Sequence, residues 1–184
     1  YPINKIFRND KNIKIYYGKD NEFFIYDKAV IATHADEAIS MIENPTDEER
    51  NILSNFKYKK NIAYLHKDET LMPSNKKAWS SWNSILDKKD PSANCVTYWL
   101  NKLQNLKSST NYFLTLNPIT SIEQKNIIKK VEFTHPFYDL KSIEAQNNLS
   151  NLQGKNNSWF CGSYFGYGFH EDGIKSSLNI VSQI

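Results

Sequence analysis

The sequence contains little glycine, proline or cysteine: its 184 residues include 6 glycines, 6 prolines and 2 cysteines. Cys95 and Cys161 lie far apart and belong to no CxxC pair, so the sequence indicates neither a disulfide framework nor a zinc site, and it fits a reducing compartment. No apolar run reaches the roughly 18 residues that a membrane-spanning helix needs, and the N-terminus lacks the basic and apolar regions of a signal peptide. We therefore expect a globular, cytoplasmic protein without an integral membrane segment.

A large charge imbalance is also absent, because 23 basic and 20 acidic residues give a net charge of +3. The lysine pairs at 59–60 and 76–77 are dispersed, which favours solvated side chains over a nucleic-acid surface. The four histidines show no metal-ligand spacing. Ser163 follows a glycine, but Phe165 stands where the nucleophile elbow GxSxG needs its last glycine. We predict no nucleic-acid partner, no metal site and no serine hydrolase.

Four of the 6 glycines fall within twelve consecutive positions near the end of the chain, in SWFCGSYFGYGFHEDGIKSSLNI. Residues 159–161 are typical of a short buried strand that ends at Gly162, and a helix is expected to begin near Gly173. Glycine lets a backbone approach a ligand closely, and a helix N-terminus offers unpaired N–H groups to an anion or a polarised oxygen. The pattern predicts either a ligand loop or a flexible turn between a strand and a helix.

Aromatic and aliphatic residues accompany these glycines. Four aromatic side chains lie between them, which suits a ligand wall better than a linker: Tyr164, Phe165, Tyr167 and Phe169. After Gly173 an apolar residue recurs at spacings of four, three and three, and this stripe is predicted to press the helix against a core: Ile174, Leu178, Val181 and Ile184.

The segment FCGSYFGYGFHEDGIKSSL resembles the C-terminal FAD-binding signature of the flavin-containing amine oxidase superfamily. It is most similar to the bacterial branch of predicted NAD/FAD-binding, amine-oxidase-like oxidoreductases. The resemblance implies that Gly162 and Ser163 form the turn beside the ribityl and diphosphate portion of FAD, although many members carry an acidic residue where this chain has Ser163. It also implies that Phe169 flanks a substrate channel. The remaining cofactor residues that it implies are Gly168, His170, Glu171, Asp172, Gly173 and Ile174.

Earlier parts of the chain carry local signals for secondary structure. Residues 13–17 and 22–26 are predicted to form a hairpin around residues 18–21, followed by a short strand over 28–32. The phrase DKAVIATHADEA resembles the strand that re-enters the FAD domain, so His34 either marks that strand's end or, as we favour, begins a helix. Thr46 and Glu49 have capping-box spacing, which predicts a helix over residues 47–56.

The middle of the chain is typical of an antiparallel sheet. Strands are predicted over residues 58–66, 77–83, 95–101, 112–117 and 125–135, and a helix capped by Asp139 is predicted over 140–152. Large rings such as Trp82 and Tyr98 fill a core in most proteins, but they could instead line an apolar substrate pocket. The resemblance favours the pocket, because the phrases AWSSWN, VTYW and TLNP recur in the family's substrate-side sheet.

The strand–GxGxxG–helix unit that binds the FAD diphosphate in this family is absent from the sequence. We therefore expect an α+β fold: an antiparallel or mixed sheet of a substrate-side domain, with the closing strand and C-terminal helix of a Rossmann-like FAD domain whose N-terminal part is missing. The expected assignment is 1–35 to the hairpin and returning strand, 36–135 to the substrate-side domain, and 136–184 to the FAD-binding segment. The start at Tyr1 fits a piece of a longer protein.

The resemblance implies an FAD-dependent oxidoreductase in which hydride passes between a small amine or apolar substrate and the flavin. The flavin is expected to be noncovalent, because Cys161 matches a small structural position of the family. No side chain is an obvious catalytic acid or base, and the chain alone is expected to be inactive. The alternatives are a flavoprotein acting on an unsaturated fatty-acyl or lipid substrate, and a binding module without catalysis.

Overall fold

The computed structural model describes residues 1–19, 22–86 and 94–184. Its contacts divide the chain into two compact units, one formed by Tyr1–Lys59 with Pro136–Ile184 and the other by Lys60–His135. The α-helices are α1 (Ala35–Met41), α2 (Asp47–Leu53), α3 (Leu100–Leu103), α4 (Leu140–Gln146) and α5 (His170–Val181). The strands are β1 (Ile3–Arg8), β2 (Ile13–Tyr17), β3 (Glu22–Tyr26), β4 (Ala29–Ile31), β5 (Lys57–His66), β6 (Trp82–Leu86), β7 (Asn94–Trp99), β8 (Phe113–Leu116), β9 (Ile127–Phe137) and β10 (Ser158–Phe160).

The first unit contains an antiparallel meander and a small parallel sheet. Strands β1, β2 and β3 pair in sequence order, so the predicted hairpin of β2 and β3 is confirmed. Two residues of its predicted turn, Asp20 and Asn21, lie outside the described residues. Strands β4 and β10 pair in parallel, with Trp159 opposite Val30. This pairing joins the two segments that the sequence predicted as strands at opposite ends of the unit.

The core of the first unit lies between the meander, β4, β10 and the helices. Strand β4 contributes Ala29 and Ile31 to this core. The members with the least exposed surface come from the other elements: Ile13, Ala35, Ala38, Leu53, Leu149, Leu152, Phe160 and Tyr164. The predicted capping box of α2 is present, with the Glu49 amide donating to Thr46 Oγ1 and the Thr46 amide donating to Glu49 Oε2. Helix α1 begins after His34, as we favoured. The helix predicted over 140–152 is interrupted, because α4 ends at Gln146 and a 3-10 turn follows over Leu149–Leu152.

A buried ion pair connects the meander to α2. The Arg8 guanidinium donates to both carboxylate oxygens of Glu49 at 2.6 and 2.7 Å, and each side chain is 2% exposed. Arg8 also contacts Ser158 Oγ at 3.3 Å, at the start of β10. Burial by itself raises the pKa of the Glu49 carboxyl, but hydrogen bonds from Arg8 and Thr46 and the Arg8 charge outweigh it and leave the pKa below its ordinary value.

The second unit is built on the five-stranded sheet with order β6-β7-β8-β5-β9. Pairs β6–β7, β7–β8 and β8–β5 are antiparallel, as predicted. The strand predicted over 77–83 is wrong for most of its length, because Lys76–Ala78 form a 3-10 turn and β6 begins only at Trp82. The Asn75 side chain caps that turn, and the Trp79 indole donates to the Pro73 carbonyl at 2.7 Å. This turn buries Trp79, which is 8% exposed.

Among the described residues, no helix is both long and apolar enough to span a bilayer.

Candidate functional site

The glycine-rich loop of residues 161–169 connects β10 to α5. It begins where the carboxyl ends of β4 and β10 lie side by side: the Cys161 amide donates to the Ile31 carbonyl at 3.1 Å, and Gly162 faces the Thr33 carbonyl. The carboxyl ends of parallel strands are where open α/β sheets bind ligands. The two strand ends that the sequence singled out are therefore adjacent.

Ser176 of α5 connects the start of the loop to the helix. Its buried hydroxyl accepts a hydrogen bond from the Gly162 amide at 3.0 Å and donates to the Gly173 carbonyl at 2.8 Å. The Ser163 carbonyl accepts from the amides of Gly166 and Gly168, both at 3.1 Å. These bonds hold the predicted cofactor residues Gly162, Ser163 and Gly173 in one place. The sequence contained no signal for the role of Ser176 beyond its spacing from Gly173.

The glycines of the loop and of α5 differ in whether the surrounding structure requires a glycine. Gly162 has φ +155, and a Cβ there would lie 2.8 Å from the Tyr164 ring; Gly168 has φ +91. The chain's own conformation therefore explains both. Gly173 is different, because it is helical and a Cβ there would meet only the Ser163 amide nitrogen, at 3.8 Å. A glycine inside a helix costs about 1 kcal/mol relative to alanine, so internal packing gives no reason for glycine at this position.

Helix α5 begins at His170, three residues before the predicted start at Gly173. The reason is Asp172, whose Oδ2 accepts hydrogen bonds from the amides of Tyr167 and Phe169, both at 3.0 Å. The carboxylate thus closes the first turn onto the loop. Asp172, a predicted cofactor residue, is bonded to its own loop in this structure.

The other predicted cofactor residues of α5 are on the surface. His170, Glu171 and Ile174 are exposed, and Glu171 lies 3.7 Å from Lys175 one turn later. The substrate-channel candidate Phe169 is 64% exposed.

The apolar stripe of α5, which the sequence predicts to press against a core, is not covered by any of the residues that the structure describes. The buried face of the helix is formed by Ser176, which holds the Gly162 turn, and Ile180, which packs with Trp159 and Cys161. The stripe lies on the remaining surface and is 51 to 71% exposed: Ile174, Leu178, Val181 and Ile184.

The two substrate candidates in the second unit form a pair. Trp82 and Tyr98 are opposite each other in β6 and β7, with ring centroids 5.2 Å apart in an edge-to-face arrangement. Trp82 is 61% exposed, whereas Trp79 and Phe113 fill the core of this unit. Trp79 and Phe113 are thus buried, whereas Trp82 and Tyr98 form a pair that reaches the surface.

A buried polar row crosses the same sheet, and sequence reasoning missed it. His66 Nε2 lies 2.7 Å from Thr115 Oγ1, which lies 2.8 Å from Thr97 Oγ1. His66 Nδ1 accepts from the Asp68 amide at 3.1 Å, so the ring is neutral, and burial lowers its pKa despite the nearby Asp68 carboxylate. His66, Thr97 and Thr115 have no exposed surface. Side chains alternate between the two faces of a sheet along each strand, and this was the only sequence signal that could have assigned His66, Thr97 and Thr115 to one face.

Within the described ranges, no three His, Cys, Asp or Glu side chains are grouped so that they could hold a metal ion.

Comparison with known proteins finds solved structures of similar fold but no protein of similar sequence. No protein-family model matches the sequence, and no curated protein sequence matches it. The fold is similar to that of a CLA-producing fatty acid isomerase from P. acnes, with TM-score 0.64 and 14% identity over 99% of this chain and 47% of the other. It is also similar to cyclohexylamine oxidase from Brevibacterium oxydans, with TM-score 0.60 and 10% identity over 100% of this chain and 48% of the other. A redesigned putrescine oxidase gives TM-score 0.63 and 7% identity over the same shares of the two chains.

The chain therefore spans slightly less than half the length of these solved proteins. Two of the three are amine oxidases, the kind of enzyme that the C-terminal sequence resembles. At these identities the similarity establishes the fold alone.

Proposed function

We propose that this chain is the C-terminal part of an FAD-dependent, amine-oxidase-like oxidoreductase that binds its flavin noncovalently. The proposal depends on one observation, the presence of glycine at position 173. It is a glycine that the chain's own packing does not require, and it lies beside the Ser163 amide at the carboxyl ends of two parallel strands. A cofactor edge that approaches the backbone closely accounts for it.

The residues present fit part of an FAD site. The first turn of α5 carries a partial positive charge, and the backbone N–H groups of the exposed residues His170 and Glu171 have no partner within the helix. Gly173, which has no side chain, lies in the same turn. Gly168 and Asp172 shape the loop, and Ile174 continues the exposed apolar surface beyond it. No diphosphate-binding GxGxxG unit is present in the sequence, so the chain supplies one side of the site and the rest of a longer polypeptide supplies the other. FAD, when bound, provides the group that accepts or donates a hydride.

Aromatic side chains are the proposed substrate contacts, considered separately in each unit. Phe169 offers an apolar surface in the first unit, and the Trp82–Tyr98 pair offers one in the second. Their role is to exclude water and orient an apolar substrate, because large rings supply apolar area with few rotatable bonds. Both an amine and an unsaturated fatty-acyl substrate suit such a surface. The second candidate is favoured by the similarity to a fatty acid isomerase. The proposed compartment is the cytoplasm.

The test uses the polypeptide at its natural length. It should purify with a flavin absorbance spectrum, and denaturation should release all of the flavin into the supernatant. Gly173→Ala should retain the fold, since alanine favours the helix and the added Cβ meets no atom closer than 3.8 Å. It should nevertheless lose most of the flavin, because the methyl group occupies the space proposed for the cofactor.

Asn179→Ala, on an exposed position of the same helix, is the matched control and should keep its flavin. Phe169→Ala should keep the flavin but reduce turnover of amine or unsaturated fatty-acid substrates. A colourless natural-length protein, or a Gly173→Ala variant with full flavin content, would contradict the proposal.

A further inference from the structure

A cleft of about 440 Å³ lies in the second unit, between the segment that joins β8 to β9 and the neighbouring strands β5 and β9. We call it the β8–β9 cleft. Its volume lies within the range of small-molecule sites. The residues that line it are Tyr64 and members of the range 118–130, so the cleft is separate from the glycine-rich loop and from α5.

The segment that joins β8 to β9 is fixed to the sheet at both of its ends. At its start Asn117 bonds to both backbone groups of Ile62 in β5: its amide donates to the Ile62 carbonyl, and its Oδ1 accepts from the Ile62 amide, both at 2.9 Å. At its end the Asn126 carbonyl accepts from the Lys67 amide at 3.0 Å. The cleft is therefore formed before any ligand enters, and a preformed site spends less binding free energy on ordering.

The wall of the cleft is aliphatic. Ile119, Ile122 and Ile127 line it together with Pro118, and each of these side chains is half-buried. An apolar chain that covers them removes the rest of their surface from water, and this burial is the dominant favourable term in most association.

One cation stands at this aliphatic wall. Among the described residues that line the cleft, Lys130 is the one that carries a charge, and its ammonium lies 5.5 Å from the centroid of the Tyr64 ring. This cation–π contact positions the ammonium beside a second lining residue. Within the described ranges no carboxylate is ion-paired with Lys130, and Glu132 of the same strand is paired with Lys60 at 2.8 Å. The Lys130 charge is therefore available to an anion.

We propose that the β8–β9 cleft binds a monocarboxylate with an unbranched aliphatic chain. The carboxylate meets the Lys130 ammonium, and the chain covers Ile119, Ile122 and Ile127. A single cation matches a single negative charge, and hydrogen bonds between charged groups are stronger than neutral ones. Inorganic phosphate would leave the aliphatic wall uncovered, and an aliphatic alcohol would leave the ammonium without a charged partner. This site goes beyond the proposed function and does not depend on a flavin.

The first test is calorimetric titration of the natural-length polypeptide with octanoate. The proposal expects saturable binding with a Kd of about 1 mM or below. Hexanoate and butyrate should bind about fourfold more weakly for each methylene removed, because each buried methylene contributes to transfer from water. Octanol and inorganic phosphate should bind at least about tenfold more weakly than octanoate. No saturable octanoate binding, or octanol binding as tight as octanoate binding, would overturn the proposal.

The second test uses two pairs of adjacent residues in β9. Lys130→Met removes the cation and keeps an unbranched side chain, and it should weaken octanoate binding about tenfold or more. Lys129→Met, on the opposite face of the strand and also exposed, is its control and should change the Kd less than about twofold. Ile127→Asn should weaken binding, whereas Ile128→Asn, outside the lining, should not. Equal effects within either pair would refute the assigned cleft.

A third measurement needs no variant. The rate at which each lysine is modified by reductive methylation is followed by mass spectrometry, with and without octanoate. At about ten times its Kd, octanoate should slow modification of Lys130 about tenfold, because the bound carboxylate covers the ammonium. Lys129 is the internal control and should react at an unchanged rate. Equal rates at Lys130 with and without octanoate would contradict the proposal.

The flavin spectrum distinguishes this site from the proposed flavin site. Octanoate binding that shifts the flavin absorbance and survives Lys130→Met unchanged would assign the ligand to the flavin and overturn the cleft. A colourless natural-length polypeptide whose octanoate binding is lost in Lys130→Met would retain the cleft and reject the flavoprotein.

Discussion

Replacing Glu49 by alanine should lower the free energy of unfolding of the first unit much more than a typical surface substitution does. In Glu49→Ala the Arg8 guanidinium loses both of its short hydrogen bonds while it remains buried, since the Arg8 side chain is 2% exposed. Breaking one partner of such a buried pair costs about 3–5 kcal/mol. The same substitution removes the acceptor for the Thr46 amide, and the loss of a helix cap costs about 1 kcal/mol. We therefore expect Glu49→Ala to lower the free energy of unfolding by about 5 kcal/mol, the upper end of the range for breaking a buried ion pair.

A double variant distinguishes the cost of an orphaned charge from the value of the pair. Arg8→Met with Glu49→Leu removes both charges and retains apolar volume, and such replacements of buried pairs are often neutral or stabilising. We therefore expect the double variant to recover most of the loss that Glu49→Ala causes. The free energy of unfolding is measured by urea denaturation, and exchange of the Cys161 amide, which is bonded to Ile31, reports on the first unit.

The pair also has a pH signature. The folded-state pKa of Glu49 is below its ordinary value of 4.5, so the stabilisation is fully present above about pH 4.5 and is lost as the pH falls through the folded-state pKa. Glu49→Gln should flatten that part of the stability profile. A Glu49→Ala loss below about 1 kcal/mol, or a double variant as unstable as Glu49→Ala, would refute this account of the pair.

Three other substitutions, the last with a matched control, test the second unit and the loop. Burial lowers the pKa of His66 below its ordinary value of 6.5. The stability that the neutral ring contributes should therefore be fully present above pH 6.5 and decline as the pH falls toward the folded-state pKa. His66→Gln should remove that decline, as measured by urea denaturation between pH 5 and 7. Thr115→Val leaves the His66 ring nitrogen and Thr97 without their shared partner and should cost about 1–3 kcal/mol, and a neutral result would contradict the polar row. Gly162→Ala meets both a positive φ and the Tyr164 ring, so it should cost about 1–3 kcal/mol in thermal melts, whereas Gly18→Ala, with a positive φ but open space, should cost less.

The sequence by itself determined the elements whose causes are local. The hairpin of β2 and β3 follows from two alternating runs that flank a turn, and its bounds agree with the prediction. The start of α2 follows from Thr46 and Glu49, because a capping box is satisfied within one turn of chain. Gly168 has a positive φ, a backbone conformation that glycine adopts readily and that the several glycines of this segment indicate.

Only the tertiary structure decided which surfaces are covered. The stripe on α5 has helical period, but period does not specify the partner, and Ser176 and Ile180 are buried because Gly162 and Trp159 lie on that side. Trp79 and Trp82 are three residues apart and indistinguishable by composition, yet the Asn75 turn buries the first and leaves the second on the surface. The pairing of β4 with β10 joins residues more than a hundred positions apart. Such contacts depend on how the chain closes long loops, a property that no local pattern encodes.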